Sequence, residues 1–136
     1  MKVLIDTNIV LDVLLNRKPF VEDAIKPFQQ AEKGQIEAYI TASSVTDLVY
    51  ILRKAYSLTE IKTHLKEMFQ FIKIVGINPS MITGALDQDG PDFEDAVMME
   101  CARQSGMEII ITRNKPDFTK SAVPCISLEE WVNRQY

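Results

Sequence analysis

The stretch Lys2-Val-Leu-Ile-Asp6-Thr-Asn8-Ile9 constrains this chain more than any other, because an apolar run of strand length breaks off in an acid, a hydroxyl and an amide. Val3, Leu4 and Ile5 are consecutive rather than alternating, which suits a parallel strand buried on both faces. Open α/β sheets bind ligands outside the carboxyl ends of such strands, so Asp6 is the first candidate for a functional site. Ile9, Val10, Val13 and Leu14 then fall at helical spacing, and capping of that helix by Asp6 or Thr7 is the competing reading.

Helical and strand patterns alternate from there on. Phe20, Ala24, Phe28 and Ala31 predict a helix closing near Gly34 and bent or interrupted at Pro27. Ile36 to Thr41 reads as a strand, and the Ser43-Ser44 pair offers caps for a helix carrying Val45, Leu48, Val49 and Leu52. An amphipathic helix over Thr59 to Phe71 follows, then a strand over Lys73 to Ile77 and a helix begun at Pro79 and Ser80 that ends around Asp87 to Gly90. Gly90-Pro-Asp92 reads as a turn, with Asp92 the expected cap of a helix running to Gly106. Glu108 to Thr112 reads as a buried, isoleucine-rich strand, Arg113 to Thr119 as a polar loop, and Val123 to Ile126 as a last strand before a helix capped by Ser127. Such alternation over 136 residues, without repeat or linker, predicts a single domain over residues 1–136. Its fold would be a three-layer α/β/α sandwich around a central parallel sheet, joined by right-handed crossovers.

Fifteen basic against nineteen acidic residues give a net charge of −4, which argues against duplex binding by a broad basic face. Any contact with nucleic acid must be local, although a divalent cation recruited by acids presents positive charge to a phosphate. No charged leader and no apolar run of membrane-spanning length is evident, so a cytoplasmic protein without membrane contact is expected. Cys101 and Cys125 sit in apolar segments without metal-type spacing and read as small buried thiols. His64, among polar helical residues, reads as a surface side chain.

The carboxyl ends of parallel strands share one edge, and the helices that follow them begin there. Asp6 ends the first strand, Asp47 lies one turn into the helix after the second, Asp95 sits in the first turn of its helix, and Asp117 follows Ile109 to Ile111. Asp92 and Asp95, three apart, share a helix face, so one can bind while the other caps. Glu94 reads as an exposed first-turn acid. Carboxylates about 4 Å apart repel by about 4 kcal/mol per pair at an effective dielectric near ~20, so a divalent cation is the simplest counter-charge. With no His or Cys in the group, magnesium or manganese suits it better than zinc or copper.

Four segments then carry a family resemblance: VLIDTNIVLDVLL, SSVTD, DFEDAVMMECA and IIITRNKPDF. Their order and spacing, over essentially the whole chain, resemble a PIN domain, the metal-dependent ribonuclease fold that includes VapC-type toxins. The resemblance implies that Asp6, Asp95 and Asp117 form a metal cluster. Asp47 stands where the family more often has Glu; being one methylene shorter, it would reach the metal through water. Thr7, Asn8 and Thr112 would orient the carboxylates, with Asp92 and Asn114 beside them. Asn114 occupies a position where many relatives carry an acid, leaving Asp117 as the substitute.

The implied activity is endonucleolytic cleavage of RNA, with one or two Mg2+ or Mn2+ ions activating water for attack on the phosphodiester. Arg17, Lys18, Arg53, Lys54, Arg113 and Lys115 are the candidate phosphate contacts. A cognate antitoxin and a homodimer are implied partners. An aspartyl-phosphate phosphatase of the haloacid dehalogenase type would also begin with a strand ending in Asp, but Asn8 stands where that chemistry needs a second acid. A PIN-like binding module without catalysis would predict scattered loss of acids, and here the set departs only at Asp47 and Asn114.

Overall fold

The computed structural model describes residues 1–90, 92–113, 115–118 and 121–134, the side chain of Asp117 apart. Among these, β1 (Lys2–Ile5), β2 (Glu37–Thr41), β3 (Ile72–Val75), β4 (Ile109–Ile111) and β5 (Cys125–Ile126) form one sheet in the order β3-β2-β1-β4-β5. Every neighbouring pair is parallel. A parallel sheet needs both faces covered, and successive side chains sort accordingly. Val3, Ile5, Ile109 and Ile111 pack against α1 (Thr7–Leu14), α2 (Val21–Glu32), α3 (Ala42–Leu52), α4 (Leu58–Met68) and α7 (Leu128–Asn133). Leu4 and Ile110 point the other way, into a cluster with Met98 and Ala102 of α6 (Phe93–Gln104). α5 (Pro79–Leu86) packs on α6 through Ala85, Ala96 and Val97. The chain thus forms the three-layer α/β/α sandwich with a parallel sheet that its sequence predicts.

From β1 the chain adds β2 and β3 on one side, then returns past β1 to add β4 and β5 on the other. Connections leave β1 and β4 in opposite directions, which opens a crevice at their carboxyl ends, the usual ligand position in open α/β sheets. Asp6 and Thr112 are the residues that follow these two strands.

Several element ends differ from the sequence reading. β2 passes into α3 without a loop, and Thr41 is both the last strand residue and the cap, its hydroxyl accepting the Ser44 amide at 3.3 Å. The cap therefore precedes the Ser43-Ser44 pair, because a β-branched threonine fits the strand while its hydroxyl serves the helix. α2 continues through Pro27, so the proline does not interrupt it; Pro27 is buried with Ala24, Phe28 and Ala31, and this packing outweighs one missing backbone bond. β3 begins at Ile72 opposite Ala38 and stops at Val75 opposite Thr41, since β2 ends there. The polar loop after β4 contains a 3-10 turn, Lys115–Phe118, pinned by the buried Phe118. Asp92 and Ser127 cap α6 and α7 as expected. No described helix is long and apolar enough to cross a membrane.

Candidate active site at the carboxyl edge of the sheet

Asp6 holds the N-cap position of α1 without a side-chain capping bond, and the adjacent Thr7 amide is the group of that helix that acts on its carboxylate. Its carboxylate instead accepts Thr112 Oγ1 at 2.8 Å across the crevice, and both residues are buried. Burial raises the Asp6 pKa above the usual carboxylate value; hydrogen bonds from Thr112 and the Thr7 amide and the charge of Arg113 oppose this, while Asp92 adds to it.

A cleft of about 350 Å³ opens at this edge, and Asp6, Asp47, Asp92, Glu94 and Asp95 all line it. Asp6, Asp47, Asp92 and Asp95 are among the acids the sequence places at this edge; the side chain of Asp117, also expected there, lies outside the described residues. Asp92 caps α6, accepting the Asp95 amide at 3.2 Å, so this pair divides with Asp92 as the cap. Glu94 is the acid that sequence reasoning missed. Its pKa is raised by burial, then by the Asp47 carboxylate and a hydrogen bond with it, and further by Asp92 and Asp6. It is exposed, as expected, but at the cleft mouth and facing Asp47. Of the first turn of α6, Glu94 and Asp95 line the cleft together with the cap Asp92, while Phe93 is turned away from it and exposed.

Hydroxyls tie the acid-bearing segments together. Thr7 Oγ1 donates to Ser44 Oγ at 2.9 Å, and Ser44 Oγ lies 2.7 Å from Thr41 Oγ1, which lies 3.0 Å from Ser43 Oγ. Ser44 thereby links the first turn of α1 to that of α3, the helix carrying Asp47. The sequence offered it only as a cap; its signal was the run of hydroxyls at the junction of strand and helix. Asn8 also lines the cleft, as do Tyr50 and Ile51 of α3.

Three of the basic residues expected to contact phosphate, Arg17, Arg113 and Lys115, are engaged in ion pairs. Arg113 Nε donates to Asp12 Oδ2 at 2.7 Å and Nη2 to Oδ1 at 3.2 Å, and its guanidinium lies 4.0 Å from the Phe20 ring centroid. Arg17 Nη1 is 3.7 Å from the same Asp12, and Lys115 pairs with Glu130 at 2.8 Å. Lys18, Arg53 and Lys54 are exposed. Asn114 and the Asp117 side chain lie outside the described residues, though the backbone of Asp117 belongs to the 3-10 turn that follows β4.

Among the described residues, no three His, Cys, Asp or Glu side chains converge closely enough to hold a metal ion. The cleft nonetheless offers five carboxylates beside hydroxyl and amide oxygens, and no His or Cys, the chemistry of magnesium or manganese. Burial is the main reason the Asp6 and Glu94 pKa values are raised, and neighbouring carboxylates add to it, Asp92 at Asp6 and Asp47, Asp92 and Asp6 at Glu94.

The PIN-domain family model matches residues 2–116. No curated protein matches the chain. Among solved structures, VapBC-1 from nontypeable Haemophilus influenzae aligns with a TM-score of 0.70 at 11% identity, covering 95% of this chain and 99% of its own. A toxin-antitoxin complex from Klebsiella pneumoniae aligns at 0.67 and 21% identity, covering 93% and 97%. VapC20 of Mycobacterium tuberculosis, a toxin that cleaves the sarcin-ricin loop, aligns at 0.62 and 10% identity, covering 79% and 86%. At these identities the likeness shows the fold.

Proposed function

Since the chain belongs to the PIN-domain family, we propose that it is a metal-dependent endoribonuclease acting as the toxin of a toxin-antitoxin pair. The observation that carries this reading is the acid-lined cleft at the β1–β4 crevice, where Thr112 holds the buried Asp6 carboxylate. Asp6 and Asp95, joined by Asp117, would hold Mg2+ or Mn2+. The ion, when bound, supplies the charge that lowers the pKa of an attacking water and offsets negative charge on the phosphoryl oxygens.

The chain's own groups have distinct tasks. Thr112 fixes which oxygen of Asp6 faces the cleft, because its hydroxyl occupies Oδ2. Glu94 faces Asp47 across the cleft and hydrogen-bonds to it, which holds the short Asp47 side chain against the first turn of α6. The hydroxyl chain through Ser44 keeps the Asp6 and Asp47 segments at a fixed separation. Lys18, Arg53 and Lys54 are the remaining candidates for phosphate contacts.

Similarity to toxin-antitoxin complexes supports an antitoxin partner for this chain, one that covers the acidic cleft with a basic or aromatic segment. A homodimer in the cytoplasm completes the proposal. Cleavage of structured RNA by the pure protein should need added Mg2+ or Mn2+ and be lost in Asp6→Asn. Full cleavage in excess EDTA overturns the reading.

A further inference from the structure

Asp12 carries a buried charge that the proposed chemistry does not use. None of its side chain is exposed, although it sits on an apolar helix. A carboxylate at such a site carries a large desolvation cost unless it is fully paired. Its partner, Arg113, comes from the far end of the chain and sits next to Thr112, the residue that holds Asp6.

The geometry forms a two-point attachment. Asp6 is the N-cap of α1, and the helix carries Asp12 nearly two turns later. The exit of β4 presents Thr112 and Arg113 in succession, and each is tied to one of these two acids: Thr112 to Asp6 Oδ2, and Arg113 to both oxygens of Asp12. Backbone bonds hold the strand exit itself, Asp6 N donating to Ile111 O and Thr112 N to Ile126 O, both at 3.0 Å, but they leave the Thr112 side chain to be set by its surroundings. The Arg113–Asp12 tie, planar and bidentate, fixes the residue after Thr112 to α1. Phe20 stacks on the guanidinium, and Arg17, whose amide donates to the Asp12 carbonyl at 2.9 Å, closes the other side.

We propose that Asp12 is a positioning residue for the cleft: through Arg113 it fixes the residue after Thr112 to α1, so that Thr112 presents the Asp6 carboxylate in the orientation that takes a divalent cation. The inference rests on the metal reading above and deepens it.

Two readouts test it on Thr112→Val, Asp12→Asn, Arg113→Lys and the double variant Asp12→Asn/Thr112→Val. One is the carboxyl carbon resonance of Asp6 in metal-free protein at fixed neutral pH; the other is Mn2+ affinity measured by calorimetry. Asp12→Asn and Arg113→Lys should move the Asp6 resonance in the same direction as Thr112→Val and weaken Mn2+ binding about tenfold, the usual effect of removing an orienting partner. Adding Thr112→Val to Asp12→Asn should then cost little more, because both changes act through one contact. An Asp6 resonance unmoved by Asp12→Asn and Arg113→Lys, or losses that simply add, would make the pair a fold element only and overturn the proposal. Where Asp12→Asn does not fold, Arg113→Lys, which keeps a cation against Asp12, decides alone. A wild-type protein that takes up no Mn2+ overturns the metal reading, and the resonance still decides whether Asp12 positions Asp6.

Discussion

Asp12→Asn should be among the most destabilising conservative substitutions in the chain. Asparagine keeps the shape but removes the charge that faces two guanidinium groups, Arg113 in bidentate contact and Arg17 at 3.7 Å. Breaking a buried ion pair by removing one partner costs about 3–5 kcal/mol. The side chains of Arg113 and Arg17 keep 23% and 35% of their exposure, so water reaches the stranded cations and the lower end applies, about 3 kcal/mol. With an unfolding entropy of about 2.1 cal/mol/K per residue over 136 residues, that loss lowers Tm by about 10 °C. Thermal unfolding followed by circular dichroism in metal-free buffer measures it, and raised salt should change the loss little, since the carboxylate is fully buried. Replacing both partners, as Asp12→Leu with Arg113→Met, should recover at least half the loss, because no buried charge is then left unpaired. A fall of less than about 3 °C for Asp12→Asn, under a third of that worked from the burial, would refute the reasoning.

Asp6 binds its proton more tightly in the folded chain than in the unfolded one, so it costs stability as pH rises from its ordinary value of 3.8 through the raised folded value. Asp6→Asn lacks that cost, and in metal-free urea unfolding it should gain on wild type across this window and keep the gain at neutral pH; a stability equal to or below wild type there would contradict it. Glu94→Gln should raise metal-free stability at neutral pH, because it removes a charge facing Asp47, Asp92 and Asp6, and should weaken Mn2+ binding less than Asp6→Asn does; calorimetry with both variants checks the order. Asp117→Asn should reduce Mn2+ affinity and cleavage far more than Asn114→Ala, and Asn114→Asp should tighten binding by restoring a charge; equal affinities for wild type and Asp117→Asn would remove Asp117 from the site.

The fold was legible where one strong local pattern decided it. Three consecutive apolar residues before Asp6 announced a doubly covered parallel strand, and alternating helical and strand periods implied the layers. The strand order was not legible, because placing β4 beside β1 depends on contacts between residues more than 100 positions apart. Thr41 escaped notice as a cap because it also completes the β2 ladder, and β3 ends where β2 does, a boundary set by its neighbour and not by its own residues. Asp6, Asp47 and Asp95 were readable from topology alone, since parallel strands and the helices after them share an edge. Glu94 was not, because its exposure in the first turn of α6 is equally that of a solvent-facing acid, and its approach to Asp47 depends on how α6 sits against α3. Arg17 and Arg113 looked like free cations because nothing local distinguishes Asp12, between Leu11 and Val13, from a solvent-facing residue of an amphipathic helix.

Whether the acids at the β1–β4 crevice hold a divalent cation is tested most directly by anomalous scattering from crystals soaked in manganese. A peak within about 2.5 Å of carboxylate oxygens of both Asp6 and Asp95 is the expected result. A cleft without a peak, or a peak that neither carboxylate touches, would contradict it.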